Sequence, residues 1–158
     1  MAAVKSINQL RAGIIGTGFI GPVHLEALRR LGVQVTALCD LPNRVASAAA
    51  RLGIPQAFGD YRQLLKSPDV DVVHITAPNR FHCRMALDTL AAGKHCVCEK
   101  PLAMNTRETA QIVQRAKNSG TVFAVNYNVR FYPAVLQLRK MVARGDLGQS
   151  SSTGRPVF

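Results

Sequence analysis

Short apolar runs alternate with helix-like patterns along most of the chain. The runs interpreted as strands are residues 12–15, 33–39, 54–58, 70–76, 95–99 and 122–127. Helical periodicity is found in residues 20–31, 43–52, 61–65, 82–92, 105–119 and 133–144. Strands that alternate with helices form parallel βαβ units, so the pattern predicts an α/β fold with helices on both faces of an open sheet.

The first apolar run leads into a glycine-rich turn. Gly16, Gly18 and Gly21 have the spacing G-x-G-x-x-G that binds a dinucleotide pyrophosphate between a strand and a helix. With the alternating pattern, this turn predicts a Rossmann doubly wound parallel sheet with helices on both faces. The residues expected to contact the cofactor here are Gly16, Thr17, Gly18, Phe19, Ile20 and Gly21.

The second apolar run ends at Asp40, about 20 residues beyond the glycines, where this fold uses an acid to bind the adenosine ribose hydroxyls. A helix cap or turn residue is the alternative, but the order of strand, turn, helix, strand and acid favours the cofactor role. A carboxylate repels a 2′-phosphate, so Asp40 favours NAD over NADP. Arg44 weakens this preference, and NADP is not excluded.

The helix after the glycine turn has an apolar face in the sequence. The residues expected to pack inward are Ile20, Val23, Ala27, Leu28 and Leu31. His24 is expected to pack or hydrogen-bond within this helix, and no chemistry is assigned to it.

Composition bounds the class of protein. The 158 residues suffice for one domain with a proper core, and no run approaches a membrane span or a signal peptide, so we expect a soluble, cytoplasmic protein without a membrane partner. The net charge of +11 is compatible with nucleic-acid binding, but the basic residues are scattered and no aromatic residues interleave with them. We therefore expect no nucleic-acid partner.

The four cysteines carry no metal-binding pattern. Cys39, Cys83, Cys96 and Cys98 form no Cys-x-x-Cys pair and have no histidine partner at zinc spacing. Neither a metal nor a disulfide is expected.

Polar clusters follow several of the predicted strands. Besides the glycine turn and Asp40, these are Pro78-Asn79, Lys100-Pro101 and residues 128–130. The carboxyl ends of parallel strands meet at one edge of a sheet, and ligands bind there. One composite site is therefore expected.

Several motifs stand in register with these strands. They are Gly16-x-Gly18-x-x-Gly21 followed by His24, Thr76-Ala77-Pro78-Asn79-x-x-His82, Ala92-Gly93-Lys94-His95, Glu99-Lys100-Pro101 and Asn128-x-Arg130-Phe131-x-Pro133. From residue 12 to about residue 148 the chain thus resembles the cofactor domain of the Gfo/Idh/MocA oxidoreductases, and the Glu-Lys-Pro triplet is the most specific match. The resemblance implies oxidation of a hydroxyl on a sugar, polyol or related compound with NAD or NADP, or the reverse reduction.

The resemblance also implies that Lys100 lies between nicotinamide and substrate as the catalytic acid/base. Glu99 and Pro101 would shape its turn, with a cis peptide before Pro101. Hydride transfer from an alcohol leaves a proton, and a lysine beside a cationic nicotinamide is suited to take it. In the reverse direction its ammonium would stabilise the alkoxide. The further implied cofactor contacts are Ala77, Pro78, Asn79, His82, Glu99, Lys100, Pro101, Asn128 and Arg130.

Simpler roles remain open for some of these residues. A lysine at the start of a loop is usually a surface residue. An exposed loop with a histidine-capped helix would give the same pattern at Pro78, Asn79 and His82. Arg130 fits equally well as a structural arginine that ties the last strand to the final helix.

The resemblance also implies a domain organisation. We expect a dinucleotide-binding domain over residues 1–145 and, over residues 146–158, a polar tail or the truncated start of a substrate domain. Family enzymes carry a second domain with the substrate pocket and an Asp/His pair that works with the lysine. The chain is thus either part of a longer enzyme or a non-catalytic nucleotide-binding or oligomerisation module. An apolar face left uncovered would favour self-association, so a homo-oligomer is among the expected partners.

Overall fold

The computed structural model describes residues 6–148. Its strands are β1 Arg11–Ile15, β2 Gln34–Cys39, β3 Gln56–Phe58, β4 Val72–Ile75, β5 His95–Glu99 and β6 Phe123–Asn126. Its helices are α1 Gly21–Arg30, α2 Pro42–Leu52, α3 Tyr61–Lys66, α4 His82–Ala91, α5 Thr106–Lys117 and α6 Pro133–Arg144. Short 3₁₀ turns occur at Ile7–Gln9, Asn79–Phe81 and Asn128–Phe131.

The six strands form one parallel sheet in the order β3-β2-β1-β4-β5-β6. The chain starts in the middle of the sheet, runs to one edge through β3, and returns to β4 beside β1. This reversal of strand order is the topological switch point at which such sheets bind ligands. The predicted Rossmann fold is therefore confirmed.

Two apolar cores lie on the two faces of this sheet, because successive residues of a strand point to opposite sides. Ile14 belongs to a cluster with residues of α1 and α2, among them Leu25 and Ala49. The next residue, Ile15, belongs to a cluster with residues of α3, α4 and α5, namely Leu64, Ala86 and Ile112. Helices thus cover both faces.

The predicted inward face of α1 is only partly right, since Leu28 is buried and Ile20 half-buried while Val23, Ala27 and Leu31 are exposed. The buried residues of α1 are Gly21, His24, Leu25 and Leu28. Val23 and Leu31 are instead 53% and 59% exposed. A close backbone contact decides the rotation of this helix: a Cβ on Gly21 would lie 2.3 Å from the carbonyl oxygen of Gly16. The side of α1 that carries Gly21 must therefore face the sheet.

The chain divides into two compact units, one ending at Asn126 and the other beginning at Tyr127. The first unit contains the whole sheet with α1 to α5. The second contains α6, in which no residue is buried; Leu138 and Val142 are 51% and 48% exposed. The predicted tail of residues 146–158 falls mainly on residues 149–158, which lie outside the described residues, so this boundary stays a prediction.

We predict that Gly21→Ala lowers the free energy of unfolding by about 1–3 kcal/mol, because its new methyl group would overlap the Gly16 carbonyl oxygen. Gly18→Ala is the matched control, since nothing lies within 4 Å of a Cβ built there. Urea unfolding followed by circular dichroism measures both variants. Equal losses in the two would contradict the close contact as the cause.

Candidate functional site

The glycine turn is held against the end of β4 as well as against α1. Gly16 has a φ of +104°, and a Cβ there would lie 2.8 Å from backbone atoms of Thr76 and Ala77. The buried Thr76 hydroxyl donates to the Gly16 carbonyl at 2.7 Å. Gly18 in the same turn is exposed and faces open space, which leaves room for a phosphate to approach its backbone.

Asp40 follows β2 and turns its carboxylate toward the glycine turn. One oxygen, Oδ2, accepts hydrogen bonds from the Thr17 N–H, at 2.8 Å, and from the Thr17 hydroxyl. The other, Oδ1, accepts from the Leu41 N–H at 2.7 Å and from the Arg44 guanidinium at 3.1 Å. Burial raises the pKa of Asp40, but these bonds outweigh it, so the pKa lies below its usual value. The side chain is an oriented, ionised acceptor at the position expected to bind a ribose.

A cleft of about 740 Å³ opens beside Asp40 at the carboxyl ends of β1, β2 and β4. Its polar walls are rich in arginine: Arg44, Arg62, Arg80 and Arg84 line it, together with the carboxylates of Asp40 and Asp60. Ile15, Ala77, Pro78, Phe81 and Met85 give it an apolar side. An apolar slot with a positive rim suits an adenine ring attached to phosphates.

The loop after β4 contributes residues with different exposure. Pro78 and Asn79 are exposed beside the cleft, as a cofactor contact requires. The ring of His82, at the start of α4, is completely buried, with Nε2 2.8 Å from the Ala77 carbonyl oxygen and Nδ1 2.8 Å from that of Pro101. His82 thus ties the loop after β4 to the loop after β5, and its predicted contact with the cofactor stays a prediction.

The turn after β5 exposes Lys100 and buries Glu99. The Lys100–Pro101 peptide is cis, as expected. The Lys100 side chain is exposed, and within residues 6–126 its ammonium has no hydrogen bond or ion pair. Glu99 is only 6% exposed, and its Oε2 accepts the Lys100 N–H at 3.2 Å. The lysine side chain is therefore free to meet a ligand while its backbone is held.

The other Glu99 oxygen lies in a partly buried polar cluster on the α1 face of the sheet. Glu99 Oε1 lies 2.9 Å from His24 Nε2 and 2.6 Å from Asn126 Nδ2. His24 Nδ1 lies 2.9 Å from His74 Nδ1. Burial raises the pKa of Glu99, but the bonds from Asn126, His24 and the Lys100 amide outweigh it and leave the pKa below its usual value. Burial and the neighbouring His24 lower the pKa of His74 to about 4.

The predicted site residues therefore fall into two groups. The first unit brings together the glycine turn, Asp40, Ala77, Pro78 and Asn79 around the switch point, with Glu99, Lys100 and Pro101 at the end of β5. Asn128 and Arg130 lie in the second unit, exposed on a 3₁₀ turn, and their predicted cofactor contacts stay predictions.

Sequence reasoning missed four residues that shape this site. In the sequence, Thr76 stands out only as part of a motif, and Asn126 only as part of a strand. His74 was hidden in an apolar run. His24 is expected to pack or hydrogen-bond within its own helix, whereas its ring nitrogens bond His74 on β4 and Glu99 on β5, with Asn126 of β6 beside them. A histidine and an asparagine on core-facing positions were the available signal, since buried polar groups need partners.

A parallel sheet whose first strand leads through a glycine turn into a helix, with an ionised acid after the second strand, is a dinucleotide-binding domain of the Rossmann class. The chain belongs to the Gfo/Idh/MocA family: the model described as "Oxidoreductase family, NAD-binding Rossmann fold" matches residues 10–127.

Individual relatives agree with this assignment. A levoglucosan dehydrogenase from Pseudarthrobacter phenanthrenivorans is 33% identical over 153 residues, which cover 90% of this chain and 39% of the relative. A trans-1,2-dihydrobenzene-1,2-diol dehydrogenase from Bos taurus is 38% identical over 144 residues, which cover 88% of this chain and 43% of the relative. The chain thus spans about two fifths of the length of these relatives.

Solved structures show the same fold. The crystal structure of an NAD binding oxidoreductase from Klebsiella pneumoniae has a TM-score of 0.79 and 41% identity, covering 88% of this chain and 40% of that one. A levoglucosan dehydrogenase in complex with NADH and levoglucosan has a TM-score of 0.79 and 33% identity, and the match covers 89% of this chain and 40% of that one.

Other expectations concern features outside this site. Among residues 6–148, no helix is long and apolar enough to cross a membrane. Within the same residues no three His, Cys, Asp or Glu side chains are grouped to hold a metal ion, and the four cysteines are free. The expectations about nucleic acid, self-association and cellular location stay predictions.

We predict that the wild-type chain loses stability as the pH falls from 7 to 5, and that His74→Asn reduces this loss. The unfolded chain protonates His74 near its ordinary pKa of 6.5, whereas the folded chain does so only at about 4. Protons therefore favour the unfolded state in this window, by about 2 kcal/mol at pH 5. Asparagine can place a donor where His74 Nδ1 lies but does not titrate.

Urea unfolding at pH 7 and pH 5 gives the comparison. Glu99 and Asp40, whose pKa values are lowered, add to the loss at still lower pH in both proteins. The same pH dependence in wild type and variant would contradict a neutral, half-buried His74.

Proposed function

We propose that this chain binds NAD(H) in the cleft at the switch point and forms the cofactor-binding part of a dehydrogenase. The hydroxyl of a sugar, polyol or related compound is the proposed substrate. Family membership over residues 10–127 supports the proposal, and the ionised Asp40 carboxylate beside the glycine turn is the observation that carries it. Levoglucosan dehydrogenase, which was solved with NADH and levoglucosan, is a relative with this chemistry.

The residues present fit the dinucleotide. The open approach to Gly18 and the start of α1 would hold the pyrophosphate, and Asp40 would hold the adenosine ribose. All four lone-pair positions of the Asp40 carboxylate already accept hydrogen bonds. A ribose hydroxyl must therefore replace one donor, and the side chain of Arg44, at 57% exposure, is the least costly to displace.

Lys100 is the proposed acid/base. When bound, the nicotinamide supplies the acceptor or donor of the hydride. The exposed Lys100 side chain, which has no partner within residues 6–126, would take up the proton of the substrate hydroxyl as a neutral amine and return it as an ammonium. The buried Glu99 carboxylate and the His82 ring hold the backbone on either side of this lysine.

We predict that Asp40→Ala weakens NADH binding about tenfold, because a ribose would lose hydrogen bonds to a charged acceptor. Fluorescence titration of the chain with NADH measures the dissociation constant. Glu26→Ala is the control, since it removes the same charge from an exposed site on α1 and should leave the affinity unchanged. Absence of saturable NADH binding by the wild type would overturn the proposed function.

We also predict that Arg44→Ala raises the preference for NADH over NADPH. The Arg44 guanidinium competes with a ribose hydroxyl for Asp40 Oδ1 and, once displaced, lies where it can neutralise a 2′-phosphate. Without it, NADH meets less competition and NADPH meets an uncompensated carboxylate. Parallel titrations with the two nucleotides test this. An unchanged ratio of dissociation constants would show that Arg44 takes no part in the selection.

A further inference from the structure

His24, His74, Glu99 and Asn126 form a polar cluster in which His24 and Glu99 are buried and His74 and Asn126 are half-buried. Each member comes from a different element: α1, β4, β5 and β6. The register pairs Glu99 with Asn126, and α1 lays His24 over the same face. An ionised carboxylate in a core costs more than an apolar side chain of similar size. Within residues 6–148 every buried side-chain polar atom has a partner, so the cost is offset by a complete network.

The network ends on the backbone of Lys100. Two donors, His24 Nε2 and Asn126 Nδ2, fix Oε1 of Glu99, and this orientation aims Oε2 at the Lys100 N–H. Only one hydrogen fits between the Nδ1 atoms of His24 and His74, which are 2.9 Å apart, so one ring donates and the other accepts. With His74 neutral, its Nδ1–H can donate to His24, whose Nε2–H is then directed at Glu99.

We propose that His24 is a positioning residue for Lys100: supported by His74 and aided by Asn126, it locks the Glu99 carboxylate that holds the lysine backbone. This inference rests on the role proposed above for Lys100. His24 acts through Glu99 and touches neither cofactor nor substrate. Loss of its Nε2 donor would free the Glu99 carboxylate to rotate. The backbone of Lys100 would then be held less firmly, and its side chain would no longer leave the turn in a fixed direction.

Two amide variants of His24 separate its two hydrogen bonds. A glutamine amide reaches the position of the histidine Nε2, so His24→Gln keeps a donor to Glu99. An asparagine amide reaches the position of Nδ1, so His24→Asn keeps a partner for His74 and loses Glu99. Both variants remove the imidazole and leave a polar amide in the core, which makes each the control for the other.

The first readout is hydrogen exchange at the Lys100 amide of the 158-residue chain. It is measured by NMR against the amide of Cys96 in the preceding strand β5, which donates to the Val122 carbonyl. We expect His24→Asn to speed Lys100 exchange about tenfold relative to Cys96, and His24→Gln to stay within about threefold of wild type. Asn126→Leu, which removes the second donor to Glu99 Oε1, should also speed exchange at the Lys100 amide. It is the substitute variant if His24→Asn does not fold. Equal rates in the two His24 variants would overturn the proposal.

The second readout is the side chain of Lys100. Reductive ¹³C-methylation labels the lysines, and Lys100→Arg identifies the Lys100 signal. We expect NAD⁺ to shift this signal in wild type and His24→Gln, and by less than half as much in His24→Asn. The same shift in all three would contradict positioning by His24. If the wild type shows neither a shift nor NADH binding, the proposed function is overturned instead. Exchange at the Lys100 amide would then decide by itself whether the hydrogen-bond network holds the lysine backbone.

Discussion

The close approach of α1 to the end of β1 is the constraint on which the rest of the site depends. The Gly21 Cα packs against the carbonyl of Gly16, and Gly16 in turn packs against the backbone at the end of β4. The Thr76 hydroxyl closes this contact with a hydrogen bond to the same carbonyl. Because these atoms leave no space for a Cβ, one turn fixes the distance of α1 from the sheet and the rotation of α1 about its axis.

The rotation of α1 has consequences on both sides of the helix. Toward the cleft, it leaves Gly18 open and sets Thr17 against the carboxylate of Asp40. Toward the sheet, it buries His24 over the ends of β4, β5 and β6, where the ring meets Glu99. The glycine turn therefore organises the proposed nucleotide site directly and the lysine turn indirectly, through one buried histidine.

Asp40 and Glu99 both stay ionised against the effect of burial, and they do so with different sets of donors. The donors to Asp40 are the N–H groups of Thr17 and Leu41 and the Thr17 hydroxyl, and the exposed Arg44 completes the set. That arrangement leaves one exposed donor, Arg44, which the proposed ribose could replace. Glu99 has the buried His24 and the half-buried Asn126 as donors on one oxygen and the next residue's amide on the other. This set of donors fits the proposed role of Glu99 in holding the backbone of Lys100.

The sequence alone determined the order of the elements, the parallel sheet and the positions of the glycine turn, Asp40 and Lys100, because strand and helix periods and glycine spacing are local properties of the chain. Only the tertiary structure decided which face of α1 is buried, since a backbone contact between Gly21 and Gly16 overrode the apolar pattern. It also decided which residues surround His24. Glu99 lies 75 residues and Asn126 lies 102 residues from His24 along the chain. Hydrogen bonds between distant strands depend on register and helix rotation, and neither is written in any local stretch of sequence.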